Sequence, residues 1–210
     1  SSNASSYAWN FGDGNTSTLA NPSHTYQEDG TYTVTLSATN ACGTVTATQT
    51  ITIVMPPVAG FSANSTSGCA SLTVQFNNES SENAASYAWE FPGASPSTST
   101  AENPTVTYST PGTYSVMLTV TNSAGSNTFI QNNYITVNGV PSVGFDVNTN
   151  VNVASFNNTT TGGATSYAWN FGDGGTSNLE NPSHTYPGDG TYTVTLTATN
   201  ACGTSTATES

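Results

Sequence analysis

Two Ser-His pairs are the first residues in this chain whose types could do chemistry. Ser23-His24 and Ser183-His184 place a hydroxyl beside an imidazole, the combination on which nucleophilic catalysis by serine depends. Neither serine lies in the Gly-x-Ser-x-Gly turn that exposes the nucleophile of an α/β-hydrolase. A related segment of the chain has Val106 in place of the histidine. The pairs therefore do not predict an active site, and we expect the chain not to be an enzyme.

Two aspartates, one upstream of each Ser-His pair, could also take part in chemistry. Asp13 and Asp173 each lie in a Gly-Asp-Gly turn, where an aspartate stabilises the turn through hydrogen bonds to its own backbone. Calcium binding is the alternative, because calcium prefers carboxylate and carbonyl oxygens. The sequence contains no EF-hand loop and no glycine-aspartate nonapeptide repeat. A turn is thus the preferred interpretation of both residues, and calcium is the one cofactor that remains as an alternative.

The histidines have a structural interpretation of their own. The segments with Gly-Asp-Gly carry His24 or His184, whereas the segment that lacks the aspartate has valine. This joint change predicts a hydrogen bond between Asp13 and His24, and another between Asp173 and His184. Such a bond would stabilise the fold and would not relay protons. Metal binding by a lone histidine is the weaker alternative.

The charge of the chain limits the classes of partner. Its 210 residues include no Lys or Arg and 12 acidic residues, so the formal net charge is −12. Without cations the chain lacks the phosphate contacts that supply most nucleic-acid affinity, and it lacks the basic clusters that dock on anionic lipid. No apolar run is long enough to cross a bilayer. We expect neither nucleic acid nor a membrane as a partner.

Alternating residues predict an all-β fold. Tyr32, Val34, Leu36 and Ala38 alternate with serine and threonine, which is typical of a strand with one buried and one wet face. Turn residues such as Gly12-Asp13-Gly14 recur between such strands. No helical period runs far enough to predict a helix.

The chain repeats itself. A Tyr-Ala-Trp-x-Phe segment at 7–11 returns at 87–91 and 167–171. Residues 7–50 and 167–210 agree at 35 of 44 positions, whereas the middle copy is more distant. The pattern indicates near-identical copies that alternate with a different one.

Proline-containing linkers at Met55-Pro56-Pro57 and Asn138-Gly139-Val140-Pro141 divide the copies. The predicted domains are 1–55, 56–139 and 140–210, of which we expect only the middle one to be whole. The first copy lacks a counterpart of Val58–Phe76. The third stops before a counterpart of Ile51-Thr52-Ile53, so both ends of the chain are expected inside a domain.

The motifs of each copy resemble the PKD (polycystic kidney disease) domain. They are Trp-Asn-Phe-Gly-Asp-Gly at 9–14, Asn-Pro-Ser-His-Thr-Tyr at 21–26 and Gly-Thr-Tyr-Thr-Val-Thr-Leu at 30–36. The middle copy is similar to a variant with Phe91-Pro92-Gly93-Ala94. The resemblance implies tandem immunoglobulin-like, seven-stranded β-sandwiches in surface or secreted proteins, acting as spacers, adhesive modules or accessories to hydrolases.

An immunoglobulin-like sandwich gives the aromatic residues structural roles. A tryptophan in a central strand is expected in the core, and a tyrosine after a turn is expected to tie its hydroxyl to nearby backbone. Stacking of the tryptophans on sugars is the alternative. The predicted core residues are Trp9, Trp89, Trp169, Tyr32, Tyr114 and Tyr192.

Each copy contains one cysteine, so no disulfide can form within a copy. Cys42 and Cys202 fall in the turn between the last two strands, and Cys69 in the turn between the first two. In a sandwich of this type those turns face neighbouring domains. We therefore expect a Cys69–Cys202 disulfide, and Cys42 paired with a Cys69-like residue of a neighbouring copy. Three free thiols are the alternative.

The leading functional hypothesis is a structural one. Alternating domains joined by disulfides would form a rod, stalk or filament on or outside the cell, with adjacent repeats or copies of the chain as partners. The alternative is an adhesive or carbohydrate-binding accessory module of a larger secreted hydrolase or adhesin, with glycans as ligands.

Overall fold

A computed structural model describes residues 4–210 of the chain. The regular secondary structure in this range consists of β-strands alone, which confirms the all-β prediction. None of the described residues forms a helix long and apolar enough to cross a membrane. Strands of the first copy are β1 (Ser6–Asn10), β2 (Thr16–Ser17), β3 (Gly30–Asn40) and β4 (Gly43–Ile53).

The middle and third copies contain the remaining strands. In the middle copy these are β5 (Phe61–Ala63), β6 (Ser67–Cys69), β7 (Leu72–Asn78), β8 (Ser86–Glu90), β9 (Ala94–Ser95), β10 (Thr98–Ser99), β11 (Thr105–Tyr108), β12 (Gly112–Asn122) and β13 (Gly125–Asn138). In the third copy they are β14 (Phe145–Asn150), β15 (Val153–Asn158), β16 (Ser166–Asn170), β17 (Thr176–Ser177), β18 (Ser183–Thr185), β19 (Val194–Asn200) and β20 (Gly203–Glu209).

The structure divides into two compact units. One consists of Ser1–Gly60, Glu79–Ala88 and Leu118–Phe129, and the other of Phe61–Asn78, Trp89–Met117 and Ile130–Ser210. The boundary passes through β8, β12 and β13, so these strands continue from one unit into the other along the chain.

The first copy lies wholly in the first unit. Its four strands form one sheet in the order β2-β1-β3-β4. The alternation predicted around Tyr32 sets the register of this sheet, in which Trp9 lies opposite Leu36 and Tyr32 opposite Ile51. Period-two alternation therefore places the aromatic and aliphatic side chains on the same face.

The middle copy contains two sheets, with strand orders β10-β8-β12-β13-β6 and β5-β7-β11-β9. Its first strand is split between them. β5 pairs antiparallel with β7, and β6 crosses over to pair parallel with the end of β13. Side chains from both sheets, including Phe76, Trp89 and Leu118, are fully buried. This is the sandwich that the resemblance implies.

The third copy is also a sandwich, formed by the sheets β14-β15-β18 and β17-β16-β19-β20. Phe145, Phe156, Trp169, Phe171 and Leu196 are the large members of its buried core. Unlike the first strand of the middle copy, β14 stays paired with β15 over its whole length, as far as the Asn150–Val153 pair.

The prediction that all three tryptophans are buried is wrong for Trp9. Trp89 and Trp169 are 1% and 2% exposed, whereas Trp9 is only half-buried. Trp89 packs against Phe61, and Trp169 against Phe145, each from the first strand of its own copy. The described part of the first copy has no corresponding strand, so the same tryptophan keeps one side open to solvent.

Candidate functional site

The turn after β1 holds Asp13 against His24. Gly12 donates its backbone N–H to Asn10 Oδ1, and Asn15 donates its own to Asp13 Oδ1 at 3.0 Å. The second carboxylate oxygen, Oδ2, lies 2.7 Å from His24 Nε2. Both side chains are only 16% exposed. The aspartate thus closes its own turn and binds the histidine of a segment eleven residues further along the chain.

Aromatic rings enclose the histidine of this pair. Phe11 stacks on the His24 ring at 4.1 Å between centroids, and Tyr26 meets it edge-on at 4.6 Å. Tyr26 also donates its hydroxyl to the Phe11 carbonyl oxygen at 2.9 Å. These contacts fix the ring plane of His24 and direct Nε2 towards Asp13.

The third copy repeats this geometry. Asp173 Oδ2 lies 2.7 Å from His184 Nε2, and Gly175 donates its backbone N–H to Asp173 Oδ1 at 2.9 Å. Phe171 stacks on His184 at 4.2 Å. The structure therefore brings together both predicted Asp-His pairs, and it gives neither histidine a contact with the preceding serine hydroxyl among the described hydrogen bonds.

The hydrogen bonds of these pairs lower the pKa of each carboxyl. For Asp13, partial desolvation acts to raise the pKa, but hydrogen bonds from Asn15 and the contact with His24 outweigh it and lower the pKa to about 2. The pKa of Asp173 is also lowered, by His184 first and by the N–H of Gly175 second. Both carboxylates are therefore ionised at neutral pH and engaged with the protein itself.

Calcium binding by Asp13 or Asp173 would have to compete with these contacts. In the part of the chain that the structure describes, no cluster of three or more His, Cys, Asp or Glu residues is suited to a metal ion. A hard cation such as calcium needs several carboxylate or carbonyl oxygens at once. The turn geometry accounts for the aspartates without a metal, and calcium binding stays an untested alternative.

A disulfide joins the middle copy to the third. Cys69, at the end of β6, is bonded to Cys202, in the turn between β19 and β20, and their Cα atoms are 5.3 Å apart. Cys42 occupies the turn between β3 and β4, where it is exposed and has a free thiol. The two cysteines of identical sequence context, Cys42 and Cys202, therefore differ in their bonding in this structure.

Sequence reasoning missed the asparagine at the end of β12 and of β19, just before the turn between the last two strands of each copy. Asn200 donates its side-chain amide to the carbonyl oxygens of Gly139 and Gly162, at 2.8 and 2.9 Å. Asn122 makes the corresponding bonds to Met55 and Asn83, at 2.7 and 3.1 Å. In each case the asparagine ties its turn to the linker that precedes its own copy. The signal was the asparagine that recurs at this place in every copy, as Asn40, Asn122 and Asn200.

A second asparagine, Asn83, supports the linker that precedes the middle copy. Asn83 donates its side-chain amide to the carbonyl oxygen of Met55 at 3.0 Å and to the Asp29 carboxylate. Asp29 also accepts the backbone N–H of Met55. Short polar side chains therefore satisfy both backbone groups of the residue that enters the linker, as buried or half-buried backbone requires.

Comparison with protein families identifies the family of this chain. The sequence matches the PKD domain at residues 1–55, 54–137 and 142–210, which together span nearly the whole chain. The chain belongs to the PKD domain family. This confirms the resemblance that the Trp-Asn-Phe-Gly-Asp-Gly motifs indicate, and with it the tandem arrangement of immunoglobulin-like sandwiches.

Two bacterial collagenases contain similar PKD segments. The chain is 53% identical over 53 residues to collagenase ColA of Bacillus cereus, and 47% identical over 55 residues to a microbial collagenase of Vibrio alginolyticus. These matches cover 25% and 26% of this chain but only 6% and 7% of the collagenases. The similarity concerns single PKD modules and does not extend to the rest of those proteins.

Solved structures of immunoglobulin-domain arrays align with the chain at low sequence identity. A three-domain fragment of titin aligns with 96% of this chain and 85% of its own, at 12% identity and a TM-score of 0.47. The first five immunoglobulin domains of Sidekick-1 align with 97% of this chain and 50% of their own, at 15% identity and a TM-score of 0.33.

Tyrosines of the PKD copies tie turns to strands. Tyr32, Tyr114 and Tyr192 donate their hydroxyls to the backbone carbonyl four residues earlier, at 2.8 to 3.0 Å. All three rings are half-buried. The tyrosines therefore occupy the corner position that the sandwich predicts, with the ring at the edge of the core.

The tryptophans have hydrogen-bond partners that the sequence did not indicate. Trp9, Trp89 and Trp169 donate their indole N–H to the carbonyl oxygens of Leu19, Ala101 and Leu179, at 2.9 to 3.1 Å. A buried indole N–H needs such a partner. Since Trp89 and Trp169 are buried, their ring faces cannot stack on a sugar.

Proposed function

We propose that this chain is a segment of an extracellular spacer, in which PKD copies follow one another along a rod, stalk or filament. The observation that supports the proposal best is the Cys69–Cys202 disulfide, because it links consecutive copies covalently. Such a bond limits bending between the copies it joins. A spacer needs that stiffness, whereas a ligand-binding module does not.

The polar contacts at the linkers support the same proposal. Asn122 binds the carbonyl oxygen of Met55 and Asn200 that of Gly139, so each linker is held by the copy that follows it. Linkers that are held in this way lose the freedom that glycine- and serine-rich linkers have. The partners of the chain are then adjacent repeats or further copies of itself.

Chemistry also supports a location outside the cell. Disulfides persist in oxidising compartments and are rare in the cytosol. The chain has no Lys or Arg and a net charge of −12, so nucleic acid and anionic lipid are poor partners. The absence of Lys and Arg also leaves no site for trypsin-like proteases, which suits an exposed structural protein.

Small-angle scattering tests the role of the disulfide in stiffness. The Cys69→Ala/Cys202→Ala double variant should give a broader distribution of maximum dimensions than the wild type, because the bond between the two copies is gone. Cys42→Ala is the matched control and should leave the distribution unchanged. Identical scattering from the double variant and the wild type would show that the disulfide does not stiffen the chain.

Electron microscopy of the native material tests the filament itself. Strands of ~8–10 residues at about 3.3 Å per residue, plus turns, give fibres with an axial repeat of two copies on the order of 70–80 Å. A native protein that contains these copies and remains a monodisperse monomer would rule out the filament and leave a single stalk or an accessory module.

An accessory role is the second candidate, and the two collagenase matches favour it. In that case the PKD copies would hold a hydrolase or adhesin against its substrate. Co-sedimentation with insoluble collagen fibrils distinguishes the candidates: an accessory module sediments with the fibrils, and a spacer stays in solution. Chitin and cellulose particles in parallel test a glycan ligand.

A further inference from the structure

The chain contains two kinds of junction between copies. The first and third copies are near-identical over 7–50 and 167–210 and are called type A, whereas the more distant middle copy is called type B. The first junction therefore runs from type A to type B, and the second from type B to type A. A side-chain amide holds the linker at both, from Asn122 to the carbonyl oxygen of Met55 and from Asn200 to that of Gly139. This shared contact does not distinguish the two types.

The first junction adds a polar contact of its own. Asp29, in the A-type copy, accepts the backbone N–H of Met55 with one carboxylate oxygen and the side-chain amide of Asn83 with the other. Asn83, in the B-type copy, also donates this amide to the carbonyl oxygen of Met55 at 3.0 Å, and its side-chain oxygen accepts the Ser81 hydroxyl at 2.6 Å. These contacts lie within one compact unit. The polar groups of both side chains are thus committed to the junction.

The second junction lacks both members of this pair. Pro111 takes the place of Asp29, since each directly precedes a Gly-Thr-Tyr segment. Gly163 takes the place of Asn83, since each lies four residues before a Tyr-Ala-Trp segment. Proline offers no side-chain acceptor and glycine no side-chain donor. The Asp-Asn contact therefore cannot form at the second junction.

The second junction has a bond that the first cannot form. Cys69, in the B-type copy, is bonded to Cys202 of the A-type copy that follows it, within the other compact unit. Ala124 takes the place of Cys202 in the middle copy, because it donates its backbone N–H to Asn122 as Cys202 does to Asn200, both at 2.8 Å. A B-type copy therefore has no thiol at the turn that faces the copy before it.

Pro111 and Gly139 are also fitted to each other. A Cβ atom at position 139 would lie 2.8 Å from Pro111 Cγ, closer than the optimal separation of two carbon atoms. The first linker has Met55 at this place, beside Asp29 instead of a proline. Each junction thus has its own set of matched residues, and a copy of the wrong type would lose the contacts that they make.

We propose that Asp29 and Asn83 form a recognition pair, which fits the end of an A-type copy to a B-type copy and not to another of type A. Cys69 and Cys202 fix the reverse order covalently. An A-type copy in the place of the middle one would present a glycine to Asp29, and the amide bonds to Asp29 and Met55 would be lost. The inference concerns the order in which the copies follow one another, and it does not rest on the spacer role.

Hydrogen exchange of the Met55 backbone amide tests the pair in the 210-residue chain. Asn83→Ala should speed this exchange by about ten-fold, because Asp29 loses the amide that orients its carboxylate. Asp29→Ala removes the acceptor itself and should have at least the same effect. The double variant Asp29→Ala/Asn83→Ala should be no faster than Asp29→Ala alone, since the two residues act as a unit.

Asp189→Ala is the matched control for these variants. It changes an aspartate in the same Asp-Gly-Thr-Tyr sequence of the third copy and should leave the Met55 amide unchanged. An unchanged exchange rate in Asn83→Ala, or effects of the two substitutions that multiply in the double variant, would overturn the proposal.

Transfer of the pair to the second junction tests whether it is sufficient. The triple variant Pro111→Asp/Gly139→Met/Gly163→Asn rebuilds the residues of the first junction and leaves the disulfide in place. The amide at position 139 should exchange about ten-fold more slowly than in Pro111→Asp/Gly139→Met, which lacks the asparagine. Equal rates in the two variants would contradict recognition of the aspartate by the asparagine. If the triple variant does not fold, the comparison at Met55 decides the proposal by itself.

Discussion

Tyr108 and Tyr186 occupy corresponding positions in two PKD copies, yet only one of them has a partner for its hydroxyl. Tyr186 donates to the carbonyl oxygen of Phe171 at 3.1 Å. The hydroxyl of Tyr108 is buried, and none of the described residues forms a hydrogen bond with it. The corresponding carbonyl, that of Phe91, accepts the backbone N–H of Ala94 at 3.0 Å instead. Burial, with a smaller contribution from Tyr114, raises the pKa of Tyr108 to about 12.

This difference predicts opposite effects of the same substitution. Tyr108→Phe removes a buried unpaired hydroxyl and should be neutral or stabilising, whereas Tyr186→Phe should cost about 1 kcal/mol through its lost hydrogen bond. Denaturant unfolding followed by tryptophan fluorescence measures both. A clear loss of stability in Tyr108→Phe would show that its hydroxyl has a partner in solution.

The Asp-His pairs predict a loss of stability in acid. The pKa of Asp13 is lowered from 3.8 to about 2, so folding favours the ionised carboxylate. Its contribution is complete above about pH 4 and disappears as the pH falls towards 2. In a series measured between pH 2 and 6, the melting temperature should therefore decrease as the pH falls from about 4 towards 2.

Replacement of the two turn aspartates is the test of that assignment. The Asp13→Asn/Asp173→Asn double variant should melt lower at neutral pH and should show a flatter profile between pH 4 and 2. Asp146→Asn changes an aspartate outside the turns and should keep the wild-type profile. If the double variant retained the full acid transition, other carboxyls would be responsible for it.

The three tryptophans predict a graded response to truncation. Trp89→Ala empties a fully enclosed site and should cost about 3–5 kcal/mol. Trp9 is half-buried, so Trp9→Ala should cost about half as much. Iodide should likewise quench the fluorescence of Trp9 more than that of Trp89, which single-tryptophan variants can show. Equal costs and equal quenching would mean that the first copy covers Trp9 in solution.

The disulfide predicts a redox-dependent stability. It closes a loop with a sequence separation of 133 residues, for which the chain-entropy account gives roughly 5 kcal/mol. Reductant should therefore lower the melting temperature of the wild type but not of Cys69→Ser/Cys202→Ser. Peptide mapping without reduction should recover Cys69 linked to Cys202 and Cys42 open to alkylation. Alkylated Cys69 in that map would contradict the bond.

Most of the fold could be predicted from local sequence patterns. Alternation around Tyr32 predicts a strand with one apolar face, and the structure has β3 at that place. The joint occurrence of aspartate and histidine points to two pairs, and the structure holds Asp13 against His24 and Asp173 against His184 at 2.7 Å. These features could be inferred because each depends on residues within one hairpin or on comparison of one copy with another.

Long-range packing decided the rest. Sequence alone determined that the chain is all-β, that it repeats, and that each copy has one cysteine and an inward-facing tryptophan. It did not determine that Trp9 is half-buried, because burial of a strand face depends on the opposite sheet, and that sheet comes from distant residues. The same holds for the unpaired hydroxyl of Tyr108. Trp9 and Trp169 lie in near-identical sequences and yet differ in burial, because tertiary neighbours, rather than the local pattern, supply the contacts.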